Sequence, residues 1–312
     1  VAAAPSANPV GGPSLTQLVE AARAEGTVQV GWLGELDDHW RQNFETAFNR
    51  QFGFRLTLRA SPAPGDSAAR EKPAWDVLLS SQAEAAELSK AVRLGTYSWQ
   101  RLLGTPSQAI LFDGGAVAFA HQPIQPAYNT RRTPAASAPN SWESLLGSRW
   151  TGRIGVSSAA GVWAGLSLSW GEDRTERFVR GLAALQPVRG ATADLLQKLE
   201  DGAIDVLAAI DDWSVRQLRD RGAAVAAASV NPVVLEPWVA SPVKDGAHPN
   251  AGALFAGFLV TEEGQQLWQQ YAGQSSVFIP GPAQQKAVAG TPYVVARNDP
   301  ESAARYARLL GY

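Results

Sequence analysis

Apolar residues recur at helical spacing at Leu15, Leu18, Val19 and Ala22, between Ser14 and Gly26, and this predicts a capped helix over LTQLVEAARAEG. TVQVGW follows as a strand. Asp37 and Asp38 then precede HWRQNFETAFNRQFG, whose Trp40, Phe44 and Phe48 share one face and whose Gly53 is a stop signal. FRLTLRA is the next strand, and beyond the linker SPAPGDSAAREKP the continuous apolar run of WDVLLSS suits a strand buried on both faces. Ser80 and Ser81 are placed to cap the helix QAEAAELSKAV.

Strands alternating with helices imply parallel pairing with both faces of the sheet covered. The ends of TVQVGW and WDVLLSS should therefore open on one crevice, where sheets of this kind bind ligands. Between Ala109 and Asn129 the pattern becomes ILFDGGAVAFAHQPIQPAYN, strand pieces broken by Gly114, Gly115, Pro123 and Pro126, read as a first crossing between two lobes. The second lobe repeats the plan: a helix over Ser141 to Leu146, the strand RIGVSS, a helix from about Val162, the helices TERFVRGLAAL and TADLLQKLEDG, and the strands AIDVLAAI and AAVAAASV. VVLEPWVAS is the return crossing, so two crossings form a hinge. The helices from Asn250 to Ala272 then belong to the first lobe, and the amphipathic tail DPESAARYARLLGY docks on the second. The expected division is a tail over 1–13, one lobe from 14–112 with 236–285, and another from 113–235 with 286–312.

With 312 residues the chain exceeds what one core usually serves, in keeping with two lobes. Charged residues make up 18% and the net charge is -2, with no basic block of the kind that follows a phosphate backbone, so nucleic acid is not an expected partner. No apolar run is long enough to span a bilayer as a helix. The absence of Cys removes disulfides, thiolate nucleophiles and Cys-bound zinc. The chain has no Met, and its opening VAAAPSANPVGGPS is small and uncharged, as expected after removal of a signal peptide, although an ordinary frayed terminus reads the same way. A periplasmic location is the expectation.

Six stretches in order, EAARAEGTVQV, DVLLSS, AYNT, SWESLLGSRWTGRIGV, HPNAGALFAGFL and EEGQQLW, cover the chain from about Leu15 to Gln274. In their order and spacing they resemble the periplasmic solute-binding proteins of ABC importers, specifically the class that includes the ferric-ion binders. The resemblance implies a type 2 periplasmic-binding-protein fold of class α/β, each lobe a mixed sheet flanked by helices, joined by a two-crossing hinge. It also implies a monomer that holds a small solute between its lobes and delivers it to the transmembrane subunits of a permease, with no cofactor. Iron-binding members use a pair of adjacent tyrosines, helped by a His and a Glu. Here the segment matching the tyrosines reads AIDDWSV, which puts Trp213 and Ser214 there; Ser81 stands at the carboxylate position, and His39 is displaced behind Leu36, Asp37 and Asp38. The expected ligand is accordingly a small organic molecule with amine, hydroxyl or anionic groups. A ferric ion or chelate held by an oxygen-rich site is the alternative.

Trp32, Trp163 and Trp213, at or just past strand ends, offer stacking faces and N–H donors, although tryptophans as often fill cores. Ser157, Ser158 and Gly161, where a strand feeds a helix, either receive an anionic group or simply cap that helix, and Ser80 and Ser81 face the same choice. Asp211 and Asp212 beside Trp213 suit an amine, or serve as caps. Gly34, Glu35 and Asp37 after the first strand, Tyr128 at the first crossing and Glu236 on the return crossing complete the candidate set. With three His, no Cys and no G-x-S-x-G, P-loop or H-E-x-x-H pattern, catalysis has few candidates. A transferase-like enzyme on the same fold and a ligand-sensor domain remain as readings of another class.

Overall fold

The computed structural model describes residues 12–32, 36–61, 74–91, 93–281 and 290–312. Helix α1 (Leu15–Glu25) begins with a reciprocal capping box between Ser14 and Gln17 and ends at Gly26, whose positive φ suits a residue without a Cβ. Strand β1 (Thr27–Gly31), helix α2 (Asp38–Phe52), β2 (Thr57–Ser61), β3 (Val77–Ser81) and α3 (Gln82–Lys90) follow in the expected order. A short helix α4 (Trp99–Leu103) and strand β4 (Ile110–Leu111) lead into β5 (Ala116–Asn129). Sequence reading breaks this last segment at its prolines, yet β5 runs through Pro123 and Pro126, and its register shifts between Gln125 and Ala127.

Beyond β5 come a 3-10 turn in place of the expected helix (Glu143–Leu146), β6 (Ile154–Ser157), α5 (Gly161–Trp170), α6 (Glu172–Ala184), β7 (Val188–Gly190), α7 (Thr192–Glu200), β8 (Val206–Asp211), α8 (Asp212–Asp220) and β9 (Val225–Ala227). The return strand β10 (Val233–Pro242) precedes α9 (Pro249–Leu259), α10 (Glu262–Ala272), β11 (Tyr293–Val295) and α11 (Pro300–Leu309). Helix α4 and strands β7 and β11 are too short for periodicity to single out, and α8, as long as α3 and α7, is a helix that the sequence reading did not assign.

Among the described residues the strands join in the order β2-β1-β3-β10-β5-β8-β6-β7, with β4 and β9 also on β5 and β11 on β10. Pairing of β1 with β2 and β3, and of β6 with β7 and β8, is parallel; β10 meets β3 and β5 antiparallel, as β5 meets β8. The sheet is therefore mixed, and the two long antiparallel strands β5 and β10 run side by side through its middle. On one side a buried cluster gathers Phe44, Phe48, Trp99, Phe119, Phe255, Phe258 and Trp268; on the other Trp142, Trp163, Phe178, Leu182 and Tyr306 form a second. Helices α9 and α10 supply the first cluster and α11 the second.

Candidate functional site

Strands β3 and β8 each end at the crossing strands and turn straight into a helix. Ser81 caps α3: its Oγ accepts from the Glu84 N–H, and Glu84 Oε2 accepts from the Ser81 N–H. Asp211 caps α8, its two carboxylate oxygens accepting from the backbone N–H and hydroxyl of Ser214 at 2.8 Å each. Both were candidate ligand contacts, and in the folded chain both satisfy helix-end N–H groups.

Register fixes what lies between them. Ser81 pairs with Trp238, Trp238 with Ala120, Glu236 with Gln122, and Ile124 with Asp211. Directly paired residues project to one face of a sheet, so Trp238, Glu236 and Gln122 form a floor with Ser81 at one edge and Asp211 at the other. Burial, followed by repulsion from Asp211 and Glu84, raises the Glu236 carboxyl from its ordinary range to about 7. Burial likewise pushes the Asp211 carboxyl up, against the lowering effect of its bonds to Ser214.

Aromatic rings close over this floor. Trp32 stands edge-on to Trp238 at 5.0 Å, to Trp268 at 5.2 Å and to Trp213 at 6.2 Å, and its indole N–H donates to the Tyr271 hydroxyl at 3.3 Å. Trp213 comes from α8, whose buried Val215 and Leu218 belong to a third cluster with Leu195, Leu199 and Leu207, but it lies against the first cluster, 5.6 Å from Tyr271. The neighbouring Arg216 reaches the same way: its guanidinium donates to the Ala272 carbonyl at the end of α10 and lies 3.9 Å from Asp212. A cationic side chain at a helix C-terminus also meets a favourable dipole. A cavity of about 460 Å³ borders Trp32, Gln122, Asp211, Trp213 and Trp238 and continues between α7 and α8 toward Arg221.

Other candidates stand elsewhere. Trp163 is 2% exposed and packs against Trp142 and Phe178, so it is a core residue and not a stacking face for solute. Tyr128 is also buried in that core, while its neighbour Asn129 binds the Leu199 carbonyl and receives the N–H groups of Arg131 and Arg132. Ser80 is buried with its hydroxyl donating to the Ser81 carbonyl, and so it is not a cap. Asp37 is an exposed cap on α2, accepting from the Trp40 N–H; His39 is exposed beside Asn43. Ser158 and Gly161 are exposed and Ser157 half-buried at the start of α5, which no side chain caps. Gly34 and Glu35 lie outside the described residues. Sequence reasoning missed Gln122, Trp238, Tyr271, Arg216 and Glu84; the two-residue spacing of Glu236 and Trp238 on a strand was the available signal for one of them.

Among the described residues no group of three or more His, Cys, Asp or Glu is placed to hold a metal ion. No helix among them is long and apolar enough to cross a membrane.

A profile of the bacterial extracellular solute-binding protein family matches residues 106–297, well over half of the chain. The chain belongs to that family. Comparison with curated proteins gives no match. Solved structures similar to this solute-binding protein include iron-bound HitA from Pseudomonas aeruginosa, at 16% identity over 92% of this chain and 99% of that one, with a TM-score of 0.61. An ABC transporter substrate-binding protein from Agrobacterium tumefaciens aligns at 15% identity over 91% and 94%, with a TM-score of 0.69. Another, from Bradyrhizobium japonicum, aligns at 16% identity over 91% and 99%, with a TM-score of 0.68. At such identities the likeness is one of fold: the mixed sheet with flanking helices is that of periplasmic binding proteins. Family membership makes the chain a solute-binding protein and not an enzyme.

Proposed function

We propose that this solute-binding protein serves an ABC importer, capturing a small organic solute between two lobes hinged at β5 and β10 and delivering it to the permease in the periplasm. The observation that carries the organic ligand is the aromatic wall: Trp32, Trp213 and Trp238 converge over a floor made by Glu236 and Gln122, at the crevice outside the strand ends. Flat indole faces suit carbon-bearing ligands, whereas a ferric ion demands a shell of hard oxygen ligands. Trp213 and Ser214 occupy the position at which the resemblance implies a tyrosine pair, and Asp211 beside them caps α8. Ser157, Ser158 and Gly161, at the uncapped start of α5, offer donors for a hydroxyl or anionic group on the same solute.

A thermal-shift screen of ligand-stripped protein tests this reading with amines, polyols, phosphonates, vitamins, ferric salts and ferric chelates. A cognate ligand at a hundred times its Kd stabilises by about 2.7 kcal/mol, a rise of a few degrees in Tm. A selective organic ligand whose effect is lost in Trp213→Ala supports the aromatic cleft. A shift with ferric ion alone, in keeping with iron-bound HitA among the similar structures, replaces the organic solute with iron.

A further inference from the structure

The crevice floor is electrically one-sided. Register sets Glu236 on β10 between the ends of β3 and β8, and both Glu84 in the first turn of α3 and Asp211 at the end of β8 act on its carboxyl. The guanidinium of Arg216 on α8 is engaged by the Ala272 carbonyl and lies near Asp212, and Arg221 lines the far end of the cavity about one and a half turns further along. Both helix N-termini that meet the crossing strands are capped by the chain itself: on α3 the Ser81 hydroxyl accepts from the Glu84 N–H while the Glu84 carboxylate takes the Ser81 N–H, and on α8 Asp211 accepts from the Ser214 N–H. An anionic solute would meet three acids there, beside helix ends that the chain itself caps.

A second observation is independent of the acids. Gln122 is 3% exposed, borders the cavity beside Asp211, and its side-chain amide has no hydrogen-bond partner among the described residues. An amide in so enclosed a place gains from a partner, and this one borders the cavity, where a partner from outside the chain can sit. Glu236, its direct neighbour in the sheet, likewise has no hydrogen-bond donor among the described residues. An N–H-rich cation satisfies both groups at once, for a carboxylate and an amide carbonyl each accept.

Resting on the solute-binding reading above, we propose that this floor is a subsite for a protonated alkylamine. Glu236 and Asp211 supply the counter-charge, the Gln122 carbonyl accepts a further N–H, and the indoles of Trp238 and Trp32 cover the ligand's carbon chain. A primary or secondary ammonium fits because the floor offers acceptors; a quaternary ammonium has no N–H to give them.

The test uses the ligand-stripped full chain, titrated by tryptophan fluorescence and calorimetry with putrescine and spermidine, with butanediol and succinate as neutral and anionic counterparts, and with ferric citrate. Amine binding is expected, weakened roughly ten- to hundredfold in Glu236→Gln and in Gln122→Leu. Because Glu236→Gln removes a buried charge, its fold is expected to survive, and an unchanged circular dichroism spectrum confirms that. Unaltered amine affinity in both variants overturns the subsite, as does the absence of amine binding at millimolar concentration. Binding of butanediol or succinate in preference to putrescine also overturns it while leaving the organic-solute reading intact. Binding of ferric citrate alone overturns both.

Discussion

Trp32 and Trp213 touch, yet their burial assigns them different work. Trp32 is 4% exposed and belongs to the first core, whereas Trp213 is half-buried and lies on that core from outside. Trp32→Ala should cost about 3–5 kcal/mol, as large aromatic truncations in cores do, and Trp213→Ala clearly less; denaturant melts of the two variants compare them directly. Glu236 makes a pH prediction. Its carboxyl titrates at about 7 in the folded chain and near 4.5 unfolded, facing Asp211 from β8, Glu84 from α3 and the neutral Gln122 from β5. The unfolded chain therefore releases this proton first, so the group lowers stability progressively as pH rises from the unfolded value through about 7. Glu236→Gln should melt at a higher temperature than the parent at pH 8, and the gap should close by about pH 5. An equal gap at both values would show that charge is not the cause.

At the scale of elements, helix ends explain what several of the candidate residues do. Ser81, Asp37 and Asp211 are cap residues because short oxygen-bearing side chains at strand-to-helix turns reach the free N–H groups of the next turn. Sequence offered the cap and the ligand readings side by side; the bonds to Glu84, Trp40 and Ser214 show the cap in each case. Close helix packing is also concentrated at particular positions. A Cβ on Gly252 in α9 would stand 2.2 Å from the Asp76 carbonyl oxygen, so Gly252→Ala should lower Tm sharply despite the better helix propensity of alanine, worth only about 1 kcal/mol. Gly161→Ala at the start of α5 meets nothing within 4 Å and should melt like the parent, which makes it the control.

At the scale of the whole molecule, α8 is the bridge. Its Val215 and Leu218 pack in a cluster with Leu195, Leu199 and Leu207, while its Trp213 rests against Trp32 and Tyr271 and its Arg216 holds the end of α10, so one helix from outside the first core grips it beside the crevice. With the hinge proposed at β5 and β10, such a contact favours the arrangement in which the cores meet over an open one. Arg216→Ala removes a charge-assisted bond from a half-exposed site, a loss of about 1–2 kcal/mol. The expected outcome is a larger radius of gyration for the ligand-free variant in solution scattering and a red-shifted tryptophan emission. Identical scattering curves would mean that the aromatic contacts alone hold the cores together.

Local chemistry settled what the chain could determine by itself. Capping residues, glycine stops and apolar spacing located α1, α2, α3, α9 and α10 and the strands between them, because those signals act within one turn or one strand. The order of its motifs was enough to indicate the solute-binding family. The crevice was legible only as a place, outside the ends of β1 and β3. Which side chains fill it depended on sheet register and on packing between residues far apart in the chain: Glu236 beside Gln122, Trp238 beside Ser81, and Trp32 against Trp213 and Trp238. Trp163 and Trp213 look alike as residues at strand ends, and only tertiary contacts bury the first and leave the second at the cleft. Short-range rules fix where an element begins and ends, whereas burial and charge at a site are sums over neighbours that only the folded chain brings together.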